Sequence, residues 1–206
     1  TFSSLSVLLI ENETFDARAR TGIPDDEFIR GESPMTKAEV RAACLSKLAV
    51  RPEDLCYDIG CGTGSVTVEL ALSAYRGRVY AIDRNEEALT LTRRNCARFH
   101  IGNVETVCGA APEIFSSLPA PDAAFIGGSG GRMDDIFRAL LLKNPHVRLV
   151  VTAVALETVS AAAEAFRKAG IEPEIVQISV ARAKKAGELH MMIGQNPVFL
   201  LSGGGR

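Results

Sequence analysis

The stretch YDIGCGTGSVTVEL, Tyr57 to Leu70, sets three glycines at alternate positions where an apolar run ends and an amphipathic segment begins. LCYDI, at its start, is short, apolar and bounded by turns, as a buried strand should be, and SVTVELALSAY behind the bend reads as a helix. Gly60, Gly62 and Gly64 therefore lie at a strand-to-helix bend. Glycine lets such a bend turn tightly and leaves no Cβ to obstruct a ligand. In an open α/β sheet, the bend after the first strand lies where ligands bind, outside the carboxyl ends of the strands.

Outward from this bend the same alternation recurs. RVYAI, VETVC, AAFIG and VRLVVTAV read as strands, and NEEALTLTRRNCARF, PEIFSSL, MDDIFRALLLK and ALETVSAAAEAFRKAG read as helices, the last stopped by Gly170. Regular alternation predicts a mostly parallel sheet covered on both faces. EPEIVQISVARA and MMIGQNPVFLLS follow with no helix between them, which predicts an antiparallel hairpin at one edge. Five alternating strands and such a pair make the seven-stranded, Rossmann-like α/β arrangement of the class I methyltransferases, although fold alone assigns no function. Upstream, GIPDDEFIRGESPM reads as loop, and TKAE as a capping box in which Thr36 caps a helix and Glu39 reaches back. Val40, Cys44, Leu45 and Leu48 then share one helical face and should meet the core. Residues 1–20, with LSVLLIEN, read as a linker or the tail of a preceding domain, and 21–206 as one domain.

Composition narrows the function classes. The 206 residues are 47% hydrophobic and 23% charged, a globular balance, with a formal net charge of -2. That charge offers no electrostatic case for a nucleic-acid partner. No apolar run reaches the ~18 residues of a membrane span. Cys44, Cys56, Cys61, Cys96 and Cys108 form no C-x-x-C pair and read as free thiols in a reducing cytoplasm. His100, His146 and His190 are far apart in sequence, so no metal site is expected.

The polar residues around the bend indicate a nucleoside. A pyrophosphate-binding loop prefers G-x-G-x-x-G, whereas the spacing here is Gly60-x-Gly62-x-Gly64. Asp58, just before the loop, repels phosphate and suits an ammonium group such as that of a methionine moiety. Asp83 ends the second strand, 23 residues after Gly60, where a carboxylate can accept both ribose hydroxyls of an adenosine. Together these favour S-adenosylmethionine over NAD, with Asp58 and Asp83 as mere helix caps the competing reading. After the third strand stand Ala110 and Ala111, so adenine would meet backbone and apolar contacts, or the segment is a plain turn into Pro112. After the fourth, Gly127, Gly128, Ser129, Gly130 and Gly131 form a floor poor in side chains that suits a large flat substrate, or else a flexible loop.

GIPDDEFIR, PMTKAEVRA, DIGCGTGSVTVELA, VYAIDRN, GAAPE, GGSGG, VTAVALET and NPVFLLS, in this order, resemble the decarboxylating precorrin methyltransferases of cobalamin biosynthesis, over roughly residues 22–202. GGSGG and PMTK are the most specific of these. The resemblance implies methyl transfer from S-adenosylmethionine to carbon 15 of a precorrin, loss of carbon dioxide from the ring C acetate arm, and a homotetramer. It implies that SLSVLLIEN ends a carbon-5 methyltransferase domain fused upstream. Donor contacts are then expected at Thr36, Asp58, the loop Gly60, Cys61, Gly62, Thr63 and Gly64, Asp83 with the adjoining Arg84, Ala110, Ala111 and Gly127. Relatives often carry Asp where Ala110 stands.

The acid arms of such a substrate call for basic residues at the rim: Arg30, Lys37, Arg132, Arg182, Lys184 and Lys185 are the candidates, beside Gly128, Ser129 and Gly130. Taken singly, each of these cations is more often a solvated surface charge. His190 is the one candidate for protonating the macrocycle, and Glu157 either starts a helix or faces the pocket. The chemistry needs orientation more than a strong base. An RNA or protein methyltransferase, or a non-catalytic donor-binding domain, are the alternative readings.

Overall fold

The computed structural model describes Val7 and residues 21–205; the reading of residues 1–20 as a linker or tail thus lies almost wholly outside the described residues. A strap begins at Thr21, makes a 3₁₀ turn at Asp25–Glu27 and leads into α1 (Ala38–Leu48). Then come β1 (Leu55–Ile59), α2 (Ser65–Ser73), β2 (Arg78–Asp83), α3 (Glu86–Arg98) and β3 (Val104–Cys108). A 3₁₀ turn at Glu113–Ser117 precedes β4 (Ala123–Ile126), α4 (Met133–Lys143), β5 (Arg148–Ala153) and α5 (Leu156–Lys168). The chain closes with β6 (Glu174–Ile178), β7 (Ala181–Ala186), β8 (Leu189–Gly194) and β9 (Val198–Gly204).

The seven-stranded sheet runs β3-β2-β1-β4-β5-β9-β6, with β9 antiparallel to both neighbours. This is the class I methyltransferase arrangement. The order reverses at β1, which pairs parallel with β2 on one side and β4 on the other, so the bend after β1 opens at the switch point. Side-chain alternation divides the core. Tyr57, Ile59, Ile126 and Val151 face α4 and α5, while Cys56, Val79, Phe125 and Val150 face α1 and α2. Asp58 has the parity of Cys56 and so lies on the α2 side. Every residue from Ser65 to Ala71 is buried, which explains why β-branched Val66, Thr67 and Val68 sit in a helix: burial overrides their weak propensity.

Three expectations need adjusting. PEIFSSL is one 3₁₀ turn, too short to be a crossover helix. The expected C-terminal pair becomes four strands: β6 and β9 make the antiparallel edge, while β7 and β8 leave the sheet as a separate hairpin. The capping box does not form. The N-cap residue Lys37 makes no side-chain cap; instead the buried Asp25 accepts the Ala38 N–H at 3.0 Å, and Glu39 pairs with Arg182 at 2.7 Å. A carboxylate delivered by the strap has displaced the local cap, which sequence spacing cannot foresee. Val40, Cys44, Leu45 and Leu48 are buried as expected. Gly170 (φ +68°) ends α5, with Ile171 N–H bonding Phe166 C=O and Gly170 N–H bonding Arg167 C=O in a Schellman motif.

Candidate active site

The bend after β1 is held from behind. Gly60 and Gly64 have φ of +76° and +73°, which a side chain rarely adopts. A Cβ on Gly60 would lie 2.8 Å from Gly128 N, and one on Gly64 would lie 2.8 Å from Thr92. At these two positions the space is claimed by protein, which corrects the idea that they stay bare for a ligand. Behind the loop, the Thr92 hydroxyl donates to Gly62 C=O at 3.3 Å, and the Asn95 amide donates to Thr63 C=O at 2.8 Å. In front, Asp83 accepts Gly62 N–H at 3.2 Å and Asn85 N–H at 3.0 Å, which orients its carboxylate at the end of β2.

Asp58 is fully buried. One carboxylate oxygen accepts from the Thr67 hydroxyl of α2; the other, Oδ1, has no hydrogen-bond partner among the described residues. Burial raises its pKa to about 7, against the lowering effect of Thr67 and with a further push from Asp83. A buried carboxylate with a free oxygen is costly unless a donor or cation meets it. Asp58 is one of the residues lining a cavity of about 670 Å³.

That cavity lies between the start of α1 (Pro34, Met35, Thr36, Lys37), the loop residues Gly60, Cys61 and Thr63, and the ends of β5 and β9. A second cavity, of about 430 Å³, is lined by Asp83, Arg84, Gly109, Ala110, Ala111 and Arg132. The two share Pro34, Gly60, Gly127, Gly128, Ser129 and Gly130. The glycine segment after β4 is thus the common floor of one divided cleft. Its two compartments separate Asp83 from Asp58, which suits an elongated ligand that meets a carboxylate in each.

The strap that walls this cleft is fastened by buried polar groups that sequence reading missed. Arg41, at no exposure, donates from Nε to Glu69 at 2.8 Å and from Nη1 to Asp25 at 3.0 Å, and also reaches the carbonyls of Ile23 and Thr36. Glu69 accepts Gly22 and Ile23 N–H, each at 3.0 Å. Thr36 and Lys37 are therefore set over the cavity by charge pairing that begins in α2. Asp25, Arg41 and Glu69 lie on three separate segments. A Glu inside the otherwise buried VTVELAL run was the one available hint.

The cleft gathers all of the expected donor set except Gly64, which supports the loop from Thr92. Among the expected substrate residues, Lys37, Gly128, Ser129, Gly130 and Arg132 line it. Arg132 also pairs with Glu113 and, at 3.2 Å, with Asp135. Arg182 lines neither cavity: it meets Asp25 at 3.2 Å and Glu39 at 2.7 Å. Lys184, Lys185 and His190 stand exposed on the β7–β8 hairpin, outside both cavities, because the strands that carry them left the main sheet. Arg30 likewise lies outside both, and Glu157 occupies the first turn of α5 without a capping bond. Thr158, Gln195 and Asn196 line the larger cavity and were not foreseen.

Residues 27–203 match the family model described as the precorrin methyltransferase domain. A protein of Pyrobaculum calidifontis named "Probable cobalt-precorrin-6B C(15)-methyltransferase (decarboxylating)" is 44% identical over 187 residues, covering 89% of this chain and 96% of the relative. The crystal structure of precorrin-6Y C5,15-methyltransferase from Geobacter metallireducens superimposes with a TM-score of 0.84 at 37% identity, covering 91% of this chain and 98% of that one. Precorrin-8w decarboxylase of Methanobacterium thermoautotrophicum gives 0.84 at 41% identity, covering 88% and 99%. With its strand order, its divided cleft and these likenesses, the chain belongs to the precorrin methyltransferase domain family.

Proposed function

We propose that this chain transfers a methyl group from S-adenosylmethionine to carbon 15 of a precorrin and removes the ring C acetate carboxylate as carbon dioxide. The observation that carries the reading is buried Asp58, whose Oδ1 has no hydrogen-bond partner among the described residues and which is one of the residues lining the larger cavity, with Asp83 lining the smaller one across the shared glycine floor. When bound, S-adenosylmethionine supplies an electrophilic methyl group on a positive sulfur. Asp58 would hold its ammonium, Asp83 its ribose, and Ala110 with Ala111 its adenine through backbone and apolar contact. Gly127, Gly128 and Gly130 carry no side chain, so a flat macrocycle can lie close above them. Among the described residues, Lys37 is the one Lys or Arg lining the larger cavity and would pair an acid arm, assisted by the neutral donors of Gln195 and Asn196. Around them Val40, Phe125, Ile178, Val180 and Val198 exclude water. A carboxylate held there loses solvation that carbon dioxide does not need, and the conjugated ring takes the electrons it leaves.

The reading extends to a homotetramer, supported by the β7–β8 hairpin, whose Leu189, Met191, Met192 and Ile193 are exposed. It extends to a carbon-5 methyltransferase domain upstream, making this chain the C-terminal domain of a precorrin-6Y C(5,15)-methyltransferase, and to a cytoplasmic setting, in keeping with five free cysteines. Mass spectrometry of a precorrin incubated with the donor tests the activity. One methyl gained and one carbon dioxide lost is the expected product, and neither change would overturn the assignment.

A further inference from the structure

Asn95 is a costly residue where it stands. Asparagine competes with helix backbone and favours caps and turns, yet Asn95 sits within α3 with no solvent exposure. A buried amide needs its hydrogen bonds made, and here they are. Oδ1 accepts Ile29 N–H at 2.7 Å, while Nδ2 donates to Ile29 C=O at 3.0 Å and to Thr63 C=O at 2.8 Å. Ile29 belongs to the strap, four residues before Ser33, where the strap begins to line the cleft; Thr63 belongs to the loop on the opposite wall. Further along the lining segment, Thr36 C=O is held by Arg41. Asn95 thus fixes the upstream end of one wall to the other wall through a single planar group.

We propose that Asn95 is a positioning residue for methyl-donor binding, holding the strap and the glycine loop at the separation that the donor requires. This rests on the donor reading above. The two bonds to Ile29 pair one amide with both polar groups of one peptide residue, as a strand neighbour would, so the strap cannot slide without breaking both. The third bond ties the Thr63 carbonyl to α3.

Calorimetric titration with S-adenosylmethionine, well below all melting transitions, compares the wild type with Asn95→Ala, Asn95→Asp and Leu140→Ala. Asn95→Asp keeps the acceptor for Ile29 N–H and loses both donors. Leu140→Ala is a stability control, buried in α4 on the far side of the sheet. Both Asn95 variants should raise the donor Kd by ~10-fold or more, because small displacements of binding walls are costly. Leu140→Ala should stay within about twofold however far its Tm falls, since distant sites act independently. A near-unchanged Kd in a folded Asn95 variant, or an equal rise in the control, would overturn the proposal. Hydrogen exchange on the wild type needs no variant to fold: saturating donor should slow the Ile29 amide together with the loop amides, and an unaltered Ile29 would overturn it. A wild type that binds no donor defeats the donor reading itself, and this inference with it.

Discussion

Asp58 trades stability for binding. Its carboxyl ionises near 3.8 when unperturbed and at about 7 in the folded protein, raised mainly by burial. Between those values the native state holds a proton that the unfolded state has released, so stability falls as pH rises through this window, by an amount on the order of a few kcal/mol. Asp58→Asn removes the cost: its Tm should exceed the wild type's at pH 8, with the gap closing toward pH 4. The same substitution should weaken donor binding, since the ammonium partner is lost. Melting curves across pH and calorimetric titration check both halves. Asp83→Ala should also raise the donor Kd while leaving the fold intact, although it frees the N–H groups of Gly62 and Asn85. An unchanged Kd would mean that the ribose contact is misassigned. Both aspartates were legible in the sequence because each sits at the end of a strand that its own hydrophobic pattern identifies. Asn95 and Thr92 were not, because inside a helical pattern a polar residue reads as solvent-facing until the neighbouring element is known.

Among the elements, the strap shows how a loop without regular structure is kept in place. Arg41 is sandwiched between Asp25 and Glu69, with its guanidinium 4.7 Å from the Phe28 ring centroid. Replacing Arg41 by Ala leaves two buried carboxylates facing each other, and breaking a buried pair in this way costs ~3–5 kcal/mol. Urea unfolding should record that loss, and Arg41→Lys should recover little, because an ammonium cannot serve four acceptors in one plane. Donor affinity should fall as well, since Thr36 and Lys37 lose their anchor. The element pattern itself was readable: five strands and the longer helices follow from periodicity, and Gly170 marks the end of α5 where expected. The 3₁₀ turn at Glu113–Ser117 escaped because so short a segment has too few residues to display a period.

For the molecule as a whole, the β7–β8 hairpin is the one substructure that does not serve the core. Its strands pair only with each other, and Arg182 ties its base to Asp25 and Glu39. Met191→Lys and Ile193→Lys together should leave the Tm of the isolated subunit nearly unchanged while lowering the mass found by light scattering. A wild type that is already monomeric, or a variant that keeps a larger mass, would remove the hairpin from the assembly. Its root residues Val180 and Gln195, joined by a hydrogen bond of 2.9 Å, line the larger cavity, so the proposed assembly surface and the proposed substrate site would meet there. The linear chain was enough to specify the alternating layers, the strand order's switch point and the strand-end positions of Asp58 and Asp83, because these depend on side-chain spacing within one element and on the next turn. Folding in three dimensions settled the rest: which carboxylate caps α1, which cation is neutralised, which basic residues reach the cleft, and that the last strands divide into an edge and a hairpin. Those outcomes depend on pairings across tens of residues, where burial removes water and forces each polar group to find a partner that local sequence does not name.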